Sequence, residues 1–415
     1  MSYLSLMALH EDSSGTKTDL TEILDTSADQ AIQTVAGKGS VILKNISSYV
    51  DAFTIGDSLS VYAKNGRFVD RGDLDNFSSN NSDDVLIVGD ISDLNPVDSA
   101  GAKSIGLEVT SRSEILNLIL VFGQTFNESD GRRVSVSGGD EDNSLVHLLV
   151  AQLNQQANLT GAAAITLTAD SIDTSDFPDG LTGVEYTASF KPAGEVLKDW
   201  GAGSYTSGQR FYFFIDSDNV FHWKLISTSP VDGTITYGTD DIFNLNFSKK
   251  VFGVFNAAIY NAGSDFNGEA ITYYAVNYRG VTDSGGFRWT YIPDLNISRQ
   301  IKLSNGVTID NEFPNGNPAE YSGGNAKFRT DIRALGRSQV EAILEATSIP
   351  RWKGGASFHG TNTYSIGGLY NFVIPQYGWT AAAPQVLRIE DTQHTIGSDG
   401  WFTTLNVREE TEAGI

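Results

Sequence analysis

The chain has 415 residues, 51 acidic and 28 basic, for a net charge of −23, and it has no cysteine. That length holds two or three domains, and 40% hydrophobic with 11% aromatic content excludes a disordered chain. The missing thiols exclude disulfides, cysteine-bound zinc and thiol catalysis, without fixing a redox compartment.

The acidity makes phosphate backbones poor partners and keeps copies apart at low salt. It fits either a halophilic adaptation, where dense screening removes the self-repulsion, or plain acidity. No run of eighteen apolar residues exists, so no membrane insertion is expected. The start, MSYLSLMALHEDSSGTKTDL, lacks a basic opening and is cut by His10, Glu11 and Asp12, so no signal peptide is expected.

Strand patterns dominate along the chain. LSVY (59–62), VLIV (85–88), GLEV (106–109) and RVSV (133–136) alternate or run β-branched between turn residues. SEILNLILVF (113–122) predicts a helix capped by Ser113. In NSLVHLLVAQLNQQ (143–156), Val146, Leu149, Val150 and Leu153 fall on one helical face. AGEVLKDW (193–200) predicts a shorter helix. FYFFIDSDNVFHWKLI (211–226) predicts a hairpin turning at Asp216–Asn219, ITYYAVNY (271–278) a strand, and RQIKLSNGVTID (299–310) a hairpin turning at Asn305-Gly306. SQVEAILEAT (338–347) opens with a capping box, Ser338 to Glu341, and Pro350 stops it. Polar stretches at 70–84, 125–132 and 311–326 predict loops.

One pattern occurs twice. FTIGDSLSVYA (53–63) has a counterpart in TYSIGGLYNFVIP (363–375). VLIVGDISD (85–93) resembles VLRIEDTQH (386–394), and IGLEVT (105–110) resembles TTLNVR (403–408). The order is the same in both copies, which signals a duplicated supersecondary unit. A small antiparallel barrel is the expected unit, because closure removes exposed strand edges.

The expected class is therefore α+β, mainly β. A segment (1–34) precedes a first β-barrel (35–112). A middle α+β region (113–264) leads to a second β-barrel (265–415) with a helix at about 338–348. The last hairpin is the most specific local feature. Leu387 and Ile389 alternate with Arg388 and Glu390, and Trp401, Thr403, Leu405 and Val407 share one face after the turn Gly397–Gly400.

No catalytic, cofactor-binding or metal-ligating residue is assigned. AGKGS (36–40) lacks the first glycine and the hydroxyl residue of a phosphate loop, which leaves a turn. Asp216 and Asp218 open like a calcium loop, but Val220 and Phe221 stand where a ligand and glycine are required. Asp140, Glu141 and Asp142 suit a helix N-terminus, with a cation as the other reading. The histidines at 10, 147, 222, 359 and 394 show no ligand spacing, and His394 is read as a structural hydrogen-bond donor at the hairpin. No Gly-x-Ser-x-Gly elbow appears. The sequence cannot locate a carboxylate pair for glycoside cleavage.

The ordered features resemble the baseplate hub proteins of tailed phages and tailed archaeal viruses. The matching residues are Leu387 and Ile389, Gly400-Trp401, Thr403 and Leu405. SQVEAILEAT and GGASFHGTNTYSIGG lie upstream, and EVLKDW, RFYFFIDSDNVFHWK and DDIFNLNFSKKVFGVFNAAIYNAG lie in the middle. The resemblance implies a structural virion protein at the tail tip, not an enzyme. It implies a homotrimer whose two barrels per chain match a sixfold tail tube or distal tail protein. The other side keeps threefold symmetry for a spike, fibre or tape-measure protein. DNA then passes without specific binding, along a channel that the net charge predicts to be acidic and polar. The competing expectation is a tail protein that binds or cleaves host-surface polysaccharide, or a plain carbohydrate-binding β-protein. No cofactor is implied by either.

Overall fold

The structure, a computed structural model, describes residues 4–31, 37–44, 52–99 and most of 102–126. It then describes short stretches between 172 and 225, residues 231–249, 253–264 and 270–293, the pieces 301–302 and 308–309, and most of 333–409. The chain is mainly β, as expected.

Seven strands come first: β1 (Leu4–Glu11), β2 (Lys17–Leu20), β3 (Ile23–Ala31), β4 (Lys38–Lys44), β5 (Ser58–Asn65), β6 (Val85–Ser99) and β7 (Ala102–Ser111). Their apolar residues alternate with polar ones, so each strand buries one face. In β4 these are Val41 and Leu43, and in β7 Ile105, Leu107 and Val109. With Leu59, Val61, Ile87 and Ile91 they form one aliphatic core. Each such side chain contributes about 1.5–3 kcal/mol when fully buried.

A helix, α1 (Leu74–Asn80), lies within 70–84, where a loop is predicted. The Asp73 carboxylate accepts the Asn76 N–H at its start, and Phe77 is its single buried residue. One apolar anchor on a polar segment gives too weak a periodicity to read. Phe77 packs with Met7, Leu9 and Tyr62 in a small satellite core.

The predicted helix 113–122 is cut short. Residues 112–114 form a 3-10 turn, Ile115–Leu118 one α-turn, and Leu120–Val121 pair as a strand with Lys191–Pro192. The helix expected at 193–200 is present as α2 (Ala193–Gly201), with Ala193, Val196 and Leu197 buried. The hairpin expected over 211–226 is β8 (Phe211–Ile215) against β9 (Phe221–Leu225). Residues 301–302 and 308–309 pair antiparallel as expected. Residues 339–341 and 343–345 are helical, with Val340 and Leu344 buried. The helix expected at 143–156 and the strand at 133–136 fall outside the described residues.

The rest consists of β10 (Gly233–Thr236), β11 (Ile242–Lys249), β12 (Ala257–Ser264), β13 (Ala270–Val276), α3 (Tyr278–Ser284), β14 (Trp289–Pro293), β15 (Trp352–His359), β16 (Leu369–Val373), β17 (Gln385–Gly397) and β18 (Gly400–Glu409). Strands β13, β12 and β14 make a separate three-stranded sheet. The others join β1–β7 in one 13-stranded sheet, in the order β11-β15-β18-β17-β3-β4-β7-β6-β5-β1-β2, with β16 and β10 branching from β17.

The expected closed barrels are therefore replaced by one open strand path among the described residues. The reason lies at the middle of that path. β17 pairs with β3 (Asp391 opposite Ala31, Ile396 opposite Thr26), so one sheet runs through both halves of the chain.

Candidate assembly site

The two halves carry the same five-strand skeleton. Strands β3, β4, β5, β6 and β7 correspond to β11, β15, β16, β17 and β18. Pairing partners correspond one for one. Val41 faces Leu107, and Ala356 faces Leu405. Leu59 faces Gly89, and Tyr370 faces Leu387. Ser27 faces Ser40, and Asn246 faces Gly355.

The irregularities correspond as well. The β6–β7 ladder slips between Ile91 and Asp93, and the β17–β18 ladder slips between Ile389 and Asp391. The first strand of each unit slips between Ile23 and Asp25, or Ile242 and Asn244. An extra residue in a strand bends it and increases its twist, so matched bulges mean matched curvature.

The Ile-Gly pairs lie at the same corner of each unit. Gly56 has φ +97° and Gly367 φ +75°, a region that favours glycine. The Gly56 N–H donates to the Ile91 carbonyl at 2.9 Å, and the Ile91 N–H donates back to Asp57 at 2.8 Å. Gly367 and Ile389 repeat the first bond at 2.9 Å, and Ile389 and Gly368 the second at 2.9 Å.

The register corrects one alignment and adds another. VLRIEDT (386–392) matches VGDISDL (88–94), three residues later in the first copy than the apparent match to VLIVGDISD. The described part of AGKGS, residues 37–40, forms no turn. Its Lys38, Gly39 and Ser40 lie in β4 and correspond to Lys353, Gly354 and Gly355 in β15. That signal was present in the sequence as KGS against KGG.

The junction between the units holds two carboxylates. Asp29 and Asp391 share a hydrogen bond across β3 and β17, and the Asn406 amide donates to Asp391 at 3.2 Å. Burial first, then the Asp29 charge, push Asp391 up to about 6. His394 sits on the same strand, buried at 8% exposure. The Thr403 hydroxyl donates to the Thr361 carbonyl at 2.6 Å, so it accepts from His394 Nδ1 at 3.0 Å. Burial holds His394 down at about 4, which keeps it neutral at pH 7. It is the structural donor expected from the sequence.

Arg388 departs from the expected alternation. It is buried at 3% exposure, donates to the Gly367 carbonyl and lies 5.2 Å from the Tyr212 ring of β8. His10 meets Asp57 at 2.9 Å, His359 packs on Phe243, and His222 stacks on Phe214. His147, residues 138–143, and Asp216 with Asp218 fall outside the described residues. Among the described residues no group of three or more His, Asp or Glu is placed to hold a metal.

Two clefts bear on glycosidase geometry. One, of about 830 Å³, is lined among the described residues by the cations Arg351, Lys353 and Arg408 and by no carboxylate. The other, of about 340 Å³, is lined among the described residues by a single carboxylate, Asp83. Glycoside cleavage needs two facing carboxyl groups.

Solved structures with a similar fold include tail proteins. A tail protein from Neisseria meningitidis MC58 aligns over 98% of this chain and 96% of its own, with TM-score 0.57 and 9% identity. The 43 kDa tail protein of prophage MuSo2 from Shewanella oneidensis aligns over 97% of each chain, with TM-score 0.57 and 10% identity. The fold is that of prophage tail proteins. A prophage tail protein of Listeria monocytogenes EGD-e shares it at TM-score 0.50 and 12% identity, over 97% of this chain and 94% of its own. No family profile and no curated protein sequence matches the chain.

Proposed function

We propose that this protein is a structural, non-enzymatic component of a virus tail and forms a homotrimeric hub at the tail tip. The carrying observation is the duplicated skeleton with matched registers, bulges and glycine corners. Each chain supplies two similar barrel-like units, built on the proposed 35–112 and 265–415 regions and each extended by its preceding strand, β3 or β11. Three chains supply six similar units facing a sixfold tail tube or distal tail protein. The unlike parts between the units keep threefold symmetry and take a spike, fibre or tape-measure protein. The ring encloses the genome exit channel. Three acidic chains give that channel a wall that repels the duplex and leaves it free to slide.

A second reading, a polysaccharide-binding tail protein, is favoured by one observation. Tyr274, Trp289 and Tyr291 project from one exposed face of the β13-β12-β14 sheet, and Phe287 stacks on Trp289. One experiment separates the readings: light scattering and electron micrographs of the purified chain at low salt and at about 1 M salt. A trimeric ring with a central lumen is expected. A monomer in both salts overturns the hub and leaves the binding module. A trimer that gains stability steeply with salt supports halophilic adaptation. One indifferent to salt supports plain acidity.

A further inference from the structure

The chain contains one complete junction between its units and both halves of a second. In the complete junction, residues 391–396 of β17 pair with residues 26–31 of β3. By the unit correspondence, β17 matches β6 and β3 matches β11. Both matching edges are open among the described residues. β11 ends the strand path, and β6 pairs with β5 only as far as Asp90.

We propose that copies of this chain join head to tail through these edges, β6 of one copy lying antiparallel on β11 of the next. The inference rests on the hub reading for the number of copies and deepens it by naming the partner surface and its register. Transferring the internal register sets Leu94 opposite Lys249, Asn95 opposite Ser248, Pro96 opposite Phe247, Val97 opposite Asn246 and Asp98 opposite Leu245.

The backbone has the required polarity. The Ser111 N–H donates to the Gly37 carbonyl, so odd residues of β7 face β4 and even ones face β6. Asn95, opposite Gly106, therefore bonds inward. Pro96 and Asp98 present their backbone groups to the open edge, and so does the Leu94 carbonyl, while the Leu94 N–H donates to the Asp93 carboxylate at 2.8 Å. Pro96 removes one donor from this row but leaves its carbonyl for the Phe247 N–H. Proline on an edge strand weakens pairing in general, which disfavours unregistered aggregation.

The side chains also correspond in a usable way. Asp93 stands where Asp391 does, and Ser248 stands where Asp29 does. The internal junction sets carboxyl against carboxyl. At the open edges the corresponding groups are a carboxylate that accepts from the Leu94 N–H at 2.8 Å and the Asn95 amide at 3.3 Å, and a Ser248 hydroxyl that donates to the Lys353 carbonyl at 3.5 Å, so no like-charge pair arises there. At the hairpin tip, Asp98 and Lys103 stand where Ile396 and Trp401 do, and Ile396 and Trp401 are seated in an apolar core. The junction between copies is thus more polar than the one within the chain, and backbone pairing carries it. Each copy has one edge of each kind, so association is heterologous and closes as a ring when the rotation between units repeats.

The absence of cysteine makes the test clean. Asn95 and Ser248 would form a non-hydrogen-bonded antiparallel pair. Such pairs have Cα atoms about 4.5 Å apart, within disulfide reach. The variant Asn95→Cys with Ser248→Cys is expected to give covalent trimer on a non-reducing denaturing gel. Mixing the two single variants is expected to give covalent dimer. Asp29→Cys with Gln393→Cys, the same pair in the internal junction, should close within one chain and serves as the folding control. Asn95→Cys with Asn246→Cys, two residues out of register, should give no product. Light scattering on the same samples separates the failures. A trimer without covalent product from the in-register pair, or with equal product from the displaced pair, overturns the register and leaves the hub. A monomer overturns both.

Discussion

The two units share a backbone and differ in what fills it. At corresponding core positions the first has Ala28, Leu43, Leu59 and Val61, and the second has Phe247, Phe358, Tyr370 and Phe372. Val41 against Ala356 runs the other way. Deep in both sheets Ile91, Leu107 and Val109 correspond to Ile389, Leu405 and Val407 without change of class. The extra volume in the second unit meets Trp379, Trp352 and Tyr377, whose rings pack around Phe247 and each other at 5.1–6.0 Å. The first unit is instead covered by α1 and its satellite core on β1. Register, bulges and glycine corners set the skeleton, and the side-chain volume is adjusted around it.

The units are also coupled unequally, and Trp401 shows how. It belongs by sequence to the second unit, yet with Ile396 it sits in the aliphatic core of the first, 5% exposed. Trp401→Ala is expected to cost about 3–5 kcal/mol, the range for removing a buried large aromatic. Chemical denaturation should show the loss, and hydrogen exchange should place it on β3, β4 and β7 as much as on β18. Exchange changes confined to residues 385–409 would mean that the units unfold independently.

Corresponding glycines give a second, smaller contrast. A Cβ on Gly354 would lie 1.9 Å from the Asn246 carbonyl oxygen, and one on Gly39 would lie 2.9 Å from the Ser27 carbonyl oxygen. Both contacts are with a neighbouring strand's backbone, which moves only if the ladder opens. Gly354→Ala is expected to cost about 3 kcal/mol and Gly39→Ala about 1 kcal/mol, read as denaturation midpoints. Equal costs would show that curvature is relieved equally in both units.

Much of this was legible in the sequence, for a physical reason. Half-buried strands alternate, so the strands around 59–62, 106–109 and 387–407, the hairpin at 211–226 and the order of the repeat could all be read. The helix at 193–200 was legible from Ala193, Val196 and Leu197 on one face. Four features were not. Arg388 occupies a polar slot in the pattern, but its guanidinium is buried against Tyr212 and the Gly367 carbonyl. The first strand of each unit is separated from the rest by unlike segments, so Ile23–Ala31 and Ile242–Lys249 share no visible word. The bulges displace the match in β6 and β17 by three residues, because a ladder tolerates an extra residue that a letter-by-letter comparison counts as a mismatch. The open junction edges leave no sequence signal at all, since they are defined by backbone groups.

The smallest contrast is between two neighbours on β17 that titrate in opposite senses. His394 is neutral in the folded protein, with its pKa held at about 4 against 6.5 when exposed. As pH falls from 6.5 to 4, the unfolded chain takes up that proton first, so stability falls through this window. Asp391 is raised to about 6 from 3.8. As pH falls from 6 towards 3.8, the folded protein takes up that proton first, so stability rises through nearly the same window. His394 is the more deeply buried and makes the larger contribution, up to about 3 kcal/mol for its shift. Asp391 is half-buried and screened, so it offsets only part of this. The wild type should therefore lose stability on acidification from pH 6.5 to 4, but gently. Asp391→Asn should steepen that loss and stabilise the protein at pH 7, where the Asp29–Asp391 repulsion is relieved. His394→Gln should invert the slope, leaving a protein that gains stability as the pH falls towards 4. Urea denaturation across this range reads all three slopes. Parallel slopes for wild type and His394→Gln would mean that His394 takes up its proton equally in the folded and the unfolded chain, which the bond to Thr403 allows because Nδ1 donates in either ring state.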